Sequence, residues 1–301
     1  MKALVTGAGG FVGQTLVAHL RKHGDEVIAV DRASGPDVTD GPAVRDLIGR
    51  ERIDAVYHLA AVTHIGASWE APVEVFRINA EGTLNVLSAC KAAGVGRVLV
   101  VGSADEYGAV RPEDLPLSED APLRPMTPYG ASKVAAEYLA LQAFLGEQLP
   151  VIRVRAFNHT GREQPDRFMV PGLARRIAAA EREGRKEIPI GSLEPVRDFT
   201  NVEDIVVAYR LLVERGEPGE VYNVCSGVGH SVAEVADHLL SLARHAIELV
   251  PDPSLLRPVE VPRLVGDNTR LRQATGWAPA ISFEDTLAQI LERWRAEEAA
   301  R

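Results

Sequence analysis

Cysteine is scarce in this chain: Cys90 and Cys225 are the only two among 301 residues. Both sit in apolar surroundings, so free thiols and a reducing compartment are expected in place of a disulfide framework. Long hydrophobic runs are missing as well. No stretch approaches bilayer-spanning length, and the start, Met1-Lys-Ala-Leu-Val-Thr-Gly7, lacks the form of a signal peptide, so no membrane partner and a cytoplasmic address are expected. There is no excess of basic residues. The formal net charge of -9 argues against a nucleic-acid surface, though it leaves room for a local basic pocket that takes an anion. No Cys/His cluster has metal-ligand spacing, so no metal is expected. Internal repeats and low-complexity segments are also missing. The remaining composition, 46% hydrophobic and 25% charged, is that of a globular protein with one large domain or two small ones.

What is present begins at the N-terminus. The apolar run Lys2–Thr6 leads directly into Gly7-Ala-Gly-Gly10-Phe11-Val12-Gly13, and a helical pattern follows from about Phe11 to His23. Strand, glycine turn and helix form the context in which backbone N–H groups and a helix N-terminus cradle a dinucleotide pyrophosphate. The spacing is Gly-x-x-Gly-x-x-Gly in place of the commoner Gly-x-Gly-x-x-Gly. A second strand, Glu26–Val30, ends in Asp31, whose carboxylate suits the adenosine ribose hydroxyls of NAD and repels the 2′-phosphate of NADP. Arg32 follows and suits that phosphate. NAD(H) or NADP(H) is therefore expected, with a lean to NAD(H). Asp37 and Val38 lie where a loop flanks the adenine.

Alternation continues with strands at about 53–57, 97–101 and 151–155, helical regions at about 73–93 and 128–147, and a late strand at 220–225. This pattern predicts an α/β fold with a Rossmann-type, doubly wound parallel sheet. Thr6, Gly7, Asp31, His58, Ser103 and Asn158 all fall at strand ends, where such sheets bind ligands. Tyr129 and Lys133 are four residues apart in Pro128-Tyr-Gly-Ala-Ser-Lys133, hence on one helix face. A neighbouring ammonium favours the phenolate and is expected to lower the tyrosine from its reference of about 10. Reaching about 7 needs roughly 4 kcal/mol of differential stabilisation. A tyrosine so tuned exchanges protons at neutral pH. Ser103, in Gly102-Ser-Ala-Asp-Glu-Tyr-Gly108, can hydrogen-bond a substrate carbonyl beside it, or simply cap the strand end.

Taken together, Thr6–Gly13, His58-Leu-Ala-Ala61, Asn79-x-x-Gly82-Thr83, Pro128–Lys133 and Arg197-Asp-Phe-Thr-Asn-Val-Glu-Asp204 resemble the extended short-chain dehydrogenase/reductases, most of which act on nucleotide sugars. The resemblance covers nearly the whole chain. It implies catalytic roles for Ser103, Tyr129 and Lys133 with possible support from Asp105 and Glu106, and cofactor contacts from Leu59, Ala60 and Ala61 beside those above. Sugar 4,6-dehydratases of that superfamily carry an acid and a glutamate after the Ser/Thr. Here Ala104 and Asp105 stand there, which leaves dehydration unsupported and carbonyl reduction supported. The Ser-x-Asp-Glu-Tyr-Gly pattern is similar to reductases of GDP-4-keto-6-deoxy-mannose, and so are Asn158-His-Thr-Gly161, Phe168-Met-Val-Pro171 and Leu256-Arg-Pro-Val-Glu-Val261. That group often has Gly-Pro-Gly-Gln where this chain has Gly161-Arg-Glu-Gln164.

The same resemblance implies a GDP-linked sugar substrate held by Asn158, Val170, Arg197, Arg257 and Glu260, the two arginines gripping a diphosphate. Arg197 could equally pair with Asp198, and Arg257 and Glu260 could be solvated loop charges. His64 and His159 receive no role, and His58 reads as a packed residue that lines the cofactor crevice and not as a base. The expected organisation is a dinucleotide-binding domain of residues 1–157 plus 198–225 and a smaller, discontinuous substrate domain of 158–197 plus 226–301. The helices near 73–93 and 128–147 resemble the pair through which this superfamily forms homodimers.

Overall fold

The computed structural model of the chain describes residues 1–256 and 261–301, so Arg257 and Glu260 lie outside the described residues. From β1 (Lys2–Thr6) the chain runs through α1 (Phe11–Lys22), β2 (Glu26–Val30), α2 (Gly41–Arg50), β3 (Ala55–His58), α3 (Ile65–Glu70), α4 (Pro72–Phe76) and α5 (Gly82–Ala93) to β4 (Arg97–Val101). It continues through α6 (Pro128–Glu147), β5 (Val151–Ala156), β6 (Asn158–Thr160), α7 (Met169–Glu183), β7 (Glu187–Ile190), β8 (Val196–Asn201), α8 (Val202–Arg215) and β9 (Val221–Val224). The last part holds β10 (Gly229–Ser231), α9 (Val232–Ser241), β11 (Glu248–Pro251), β12 (Arg263–Leu264), α10 (Thr269–Thr275) and α11 (Phe283–Ala299).

Six strands form one sheet in the order β2-β1-β3-β4-β5-β9, every neighbouring pair parallel. Both faces are covered, which is why strands such as Val98–Val100 read as unbroken apolar runs. On one face Leu16, Leu20, Ile205 and Leu212 pack against Val5 and Val154. On the other, Leu47, Ile48, Leu87 and Ala140 pack against Leu4, Val56 and Val98. A third core joins α7, α9 and α11 through Leu173, Ile177, Val235, Leu239, Ile290 and Leu291. Strand order reverses beside β1, and the crevice at the carboxyl ends of β1 and β3 is where such sheets take ligands. β8 does not enter the large sheet. It pairs with β10, β12 and β6 in a separate four-stranded sheet.

One helix widens into a π-turn where periodicity predicts a regular α-helix. The expected helical region at 73–93 consists of α4, a π-turn over Arg77–Glu81 and α5. Asn79 lies in that turn. Its side chain bonds both backbone groups of Val62 (2.8 and 3.1 Å) and the Ser132 hydroxyl (2.9 Å), and Thr83 Oγ1 donates to Asn79 O at 2.6 Å. The wide turn presents the amide to the Val62 loop, a placement that 3.6-residue periodicity does not record. α6, by contrast, matches its expected span, because Thr127 caps it by accepting from Gly130 N at 3.0 Å and Pro128 suits the first turn.

Candidate active site

A cleft of about 1580 Å³ opens at the carboxyl ends of the strands. Its floor is the glycine turn. Gly7 has φ +70, and a Cβ there would come within 2.8 Å of Ala60 N; one at Gly13 would lie 2.2 Å from Gly7 O. Only glycine allows this approach of β1, α1 and the β3 loop. α1 is capped by Gly10 without a side-chain hydrogen bond and has no acid in its first turn, which leaves its N-terminal N–H groups for an anionic ligand. A dinucleotide pyrophosphate therefore fits these residues. Thr6, Gly7, Gly10, Phe11, Val12, Gly13, Asp31, Arg32, Asp37, Val38, Leu59, Ala60 and Ala61 all line this part of the cleft.

His58 holds the floor in place and does not line it. It is buried, its Nδ1 lies 2.8 Å from Thr6 Oγ1, and its Nε2 lies 2.9 Å from Thr83 Oγ1. Burial lowers its pKa to about 3, and a neutral ring that donates from Nε2 and accepts at Nδ1 satisfies both hydroxyls. At the end of β2, Asp31 accepts from Ala33 N (2.8 Å), Ser34 N (3.0 Å) and the Ser34 hydroxyl (2.9 Å), bonds that hold its carboxyl below the usual range. The Arg32 side chain projects outward, 3.4 Å from Asp37.

Deeper in, β4 and α6 bring Ser103, Asp105, Tyr129 and Lys133 to one wall of the cleft. Lys133 Nζ donates to Val101 O at 2.8 Å. The Ser103 hydroxyl donates to Asp105 Oδ2 and accepts from Asp105 N, both at 3.1 Å. Ser103 is thus the cap of the short turn that follows and also a lining residue of the cleft. Here the structure corrects the expected tuning of the tyrosine. Burial pushes the Tyr129 hydroxyl above its ordinary value and the Asp105 carboxylate adds to this, opposed by the influence of the Ser103 hydroxyl. Burial also lowers Lys133 to about 8. Desolvation outweighs the lysine because Nζ is aimed at a backbone carbonyl. The result is a protonated phenol, the form a proton donor requires.

Glu106 is buried and absent from the lining, whereas Asp105 is part of it. Ala104 is buried in an apolar cluster with Tyr107, Leu117, Phe157 and Leu264, so no acid occupies that position. Asn158, Val170 and Arg197 line the far part of the cleft. Asp198 gives its carboxylate to Ser226, Gly227 and Gly266, at 2.6 to 3.3 Å, and Arg197 Nη1 donates to Val196 O at 2.9 Å. The Gly161–Gln164 loop closes on itself: Thr160 Oγ1 donates to Gln164 Oε1 at 2.7 Å and Gln164 Nε2 to His159 O at 3.2 Å. His64, Trp69, His159, Arg167, Arg175 and Arg176 also line the cleft. Sequence reasoning did not assign them, although Arg175 and Arg176 follow the Phe168–Pro171 motif by one helical turn.

The NAD dependent epimerase/dehydratase family matches residues 3–225. The chain is 37% identical to the GDP-6-deoxy-D-mannose reductase of Pseudomonas aeruginosa, over 98% of this chain and 97% of that one. It is 30% identical to the GDP-6-deoxy-D-talose 4-dehydrogenase of Aggregatibacter actinomycetemcomitans, over 92% of each. Among solved structures, that of RMD from Pseudomonas aeruginosa complexed with NADPH is similar at a TM-score of 0.90 and 36% identity, covering 99% of this chain and 100% of that one. A UDP-glucose 4-epimerase from Thermotoga maritima also reaches 0.90, at 28% identity and 99% coverage of both chains. A glycine-lined cleft at a sheet switch point, a Ser-Tyr-Lys wall and these likenesses along its length agree: the chain belongs to the NAD dependent epimerase/dehydratase family.

Proposed function

We propose that the chain is an NAD(P)H-dependent reductase of the 4-keto group of a GDP-4-keto-6-deoxy-hexose, giving GDP-D-rhamnose. The observation that carries this reading is the placement of Ser103, Tyr129 and Lys133 on one wall of the cleft, with an alanine at position 104 where dehydration would need an acid. A reduced nicotinamide, when bound, supplies the hydride to C4. Tyr129 donates its proton to the alkoxide that forms, Ser103 orients the carbonyl oxygen, and Lys133, largely an ammonium at pH 7, holds the nicotinamide ribose and favours the phenolate left behind. Asp105 is one methylene too short for the eliminating glutamate and instead anchors Ser103. The unit formed by 1–157 plus 198–225 holds the cofactor, and 158–197 plus 226–301 holds the sugar nucleotide, with Asn158, Val170 and Arg197 as contacts.

The test is cofactor oxidation at ~340 nm, the reduced-nicotinamide absorbance, read as a catalytic rate. The substrate is GDP-4-keto-6-deoxy-mannose made in place by a separate dehydratase, with NADH and NADPH in parallel. Sugar-dependent consumption is expected, and the C4 configuration of the product separates rhamnose from talose. No consumption with either cofactor, together with interconversion of UDP-hexoses, would replace this reading with a 4-epimerase.

A homodimer and a cytoplasmic address belong to the same proposal. Val73 (81% exposed), Phe76, Leu84, Tyr138 and Leu145 (70% exposed) leave an apolar surface on α4, α5 and α6. A four-helix interface would bury it. Light scattering is expected to give about twice 32.5 kDa, falling to 32.5 kDa in a Val73→Glu/Leu145→Glu variant. A monomeric parent would refute the dimer.

A further inference from the structure

The mechanism leaves one buried group unused. Glu106 is fully buried beneath Ser103, outside the cleft. Its Oε1 accepts from Ser103 N at 2.7 Å. Its Oε2 has no hydrogen-bond partner among the described residues. Arg155 Nε is the cation near it, at 3.8 Å, but that N–H is already given to Glu137 Oε2 at 2.8 Å. Arg155 Nη2 also goes to Glu137 (2.7 Å), and Nη1 goes to Tyr107 Oη (3.0 Å) and Glu119 O (2.8 Å). Arg153 adds a further bond to Glu137 at 3.2 Å. Glu137 is thus the ionised partner of two arginines and lies next to a carboxyl group that receives no N–H on its second oxygen. Lys133, Tyr129 and Asp105 are the remaining charged or titratable groups nearby.

We propose that Glu106 is a positioning residue: an uncharged carboxylic acid that accepts from Ser103 N–H through Oε1 and donates its Oε2 proton to the Glu137 carboxylate. This proton satisfies the atom that otherwise has no partner. It also fastens the end of β4, which carries Ser103, to α6, which carries Tyr129, Lys133 and Glu137 at successive four-residue steps of one face. The space for the carboxyl group exists because residue 102 is glycine; a Cβ there would lie 2.3 Å from Glu106 Oε1. Burial beside Glu137 raises the Glu106 carboxyl well above the usual range, in agreement with this geometry.

The test compares Glu106→Gln and Glu106→Leu with the parent. Glutamine keeps both bonds, its oxygen accepting from Ser103 and its amide donating to Glu137, so kcat stays within about threefold. Leucine breaks the link, and kcat falls roughly 10- to 100-fold as Ser103 drifts from Tyr129, while cofactor affinity is kept. These rates rest on the reductase reading. A second readout does not: the infrared difference between the parent and Glu106→Gln at neutral pH contains the C=O band of a protonated carboxyl group. Absence of that band would overturn the proposal. So would a folded Glu106→Gln protein as slow as Glu106→Leu, or a Glu106→Leu protein as fast as the parent.

Discussion

Replacing Tyr129 with phenylalanine lowers kcat by about 10²- to 10⁴-fold, the range for loss of a positioned general acid. The ring is buried, so phenylalanine keeps its packing and removes only the hydroxyl. The glycine turn and Lys133, which is tied to Val101 O, are untouched, and cofactor affinity therefore stays near that of the parent. Stopped-flow single turnover, with a separate titration of cofactor binding, measures the two effects independently. A variant with near-parental turnover would end the mechanism, and one that lost cofactor binding in step with kcat would move Tyr129 from the chemistry to the cradle.

The second large effect is on stability. Glu137 carries bonds from Arg153 and Arg155, and all three groups are buried. Glu137→Leu leaves two guanidinium groups without their carboxylate, and removing one partner of a buried pair costs about 3–5 kcal/mol. For a chain of this size that is a fall in Tm of about 10 °C, at roughly 2–4 °C per kcal/mol. Scanning calorimetry measures it. Adding Arg155→Met to Glu137→Leu recovers part of the loss, because the uncompensated charge and not the lost bond carries most of the cost. A Glu137→Leu single variant that melts with the parent would show that water or other acceptors reach the guanidinium groups.

Much of the glycine-lined part of the cleft was legible because its requirements are local. Gly7, Gly10 and Gly13 are demanded by a turn whose strand and helix adjoin it in sequence, and Asp31 stands at the end of the next strand. Tyr129 and Lys133 share a helix face by spacing alone. Less was legible wherever a partner comes from far along the chain. Asn79 belongs to a motif that carries the family resemblance, but what its side chain bonds is unreadable until the Val62 loop and Ser132 are placed beside it. Glu106 reads as possible catalytic support, and burial under Ser103 against a helix residue and a strand arginine removes it from the cleft.

The direction of the Tyr129 shift has the same origin. A sequence states which charges are close along the chain, and by that measure Lys133 should dominate. Solvent exclusion and the aim of Nζ depend on how β4, α6 and the loop between them pack. The sequence by itself determined most of the periodic elements, the glycine turn and the shared helix face of Tyr129 and Lys133, since each rests on neighbours within a few residues. Only the tertiary structure decided which of those groups face the cleft, which are dry and which carry a charge, because desolvation and hydrogen-bond direction are properties of the assembled surroundings.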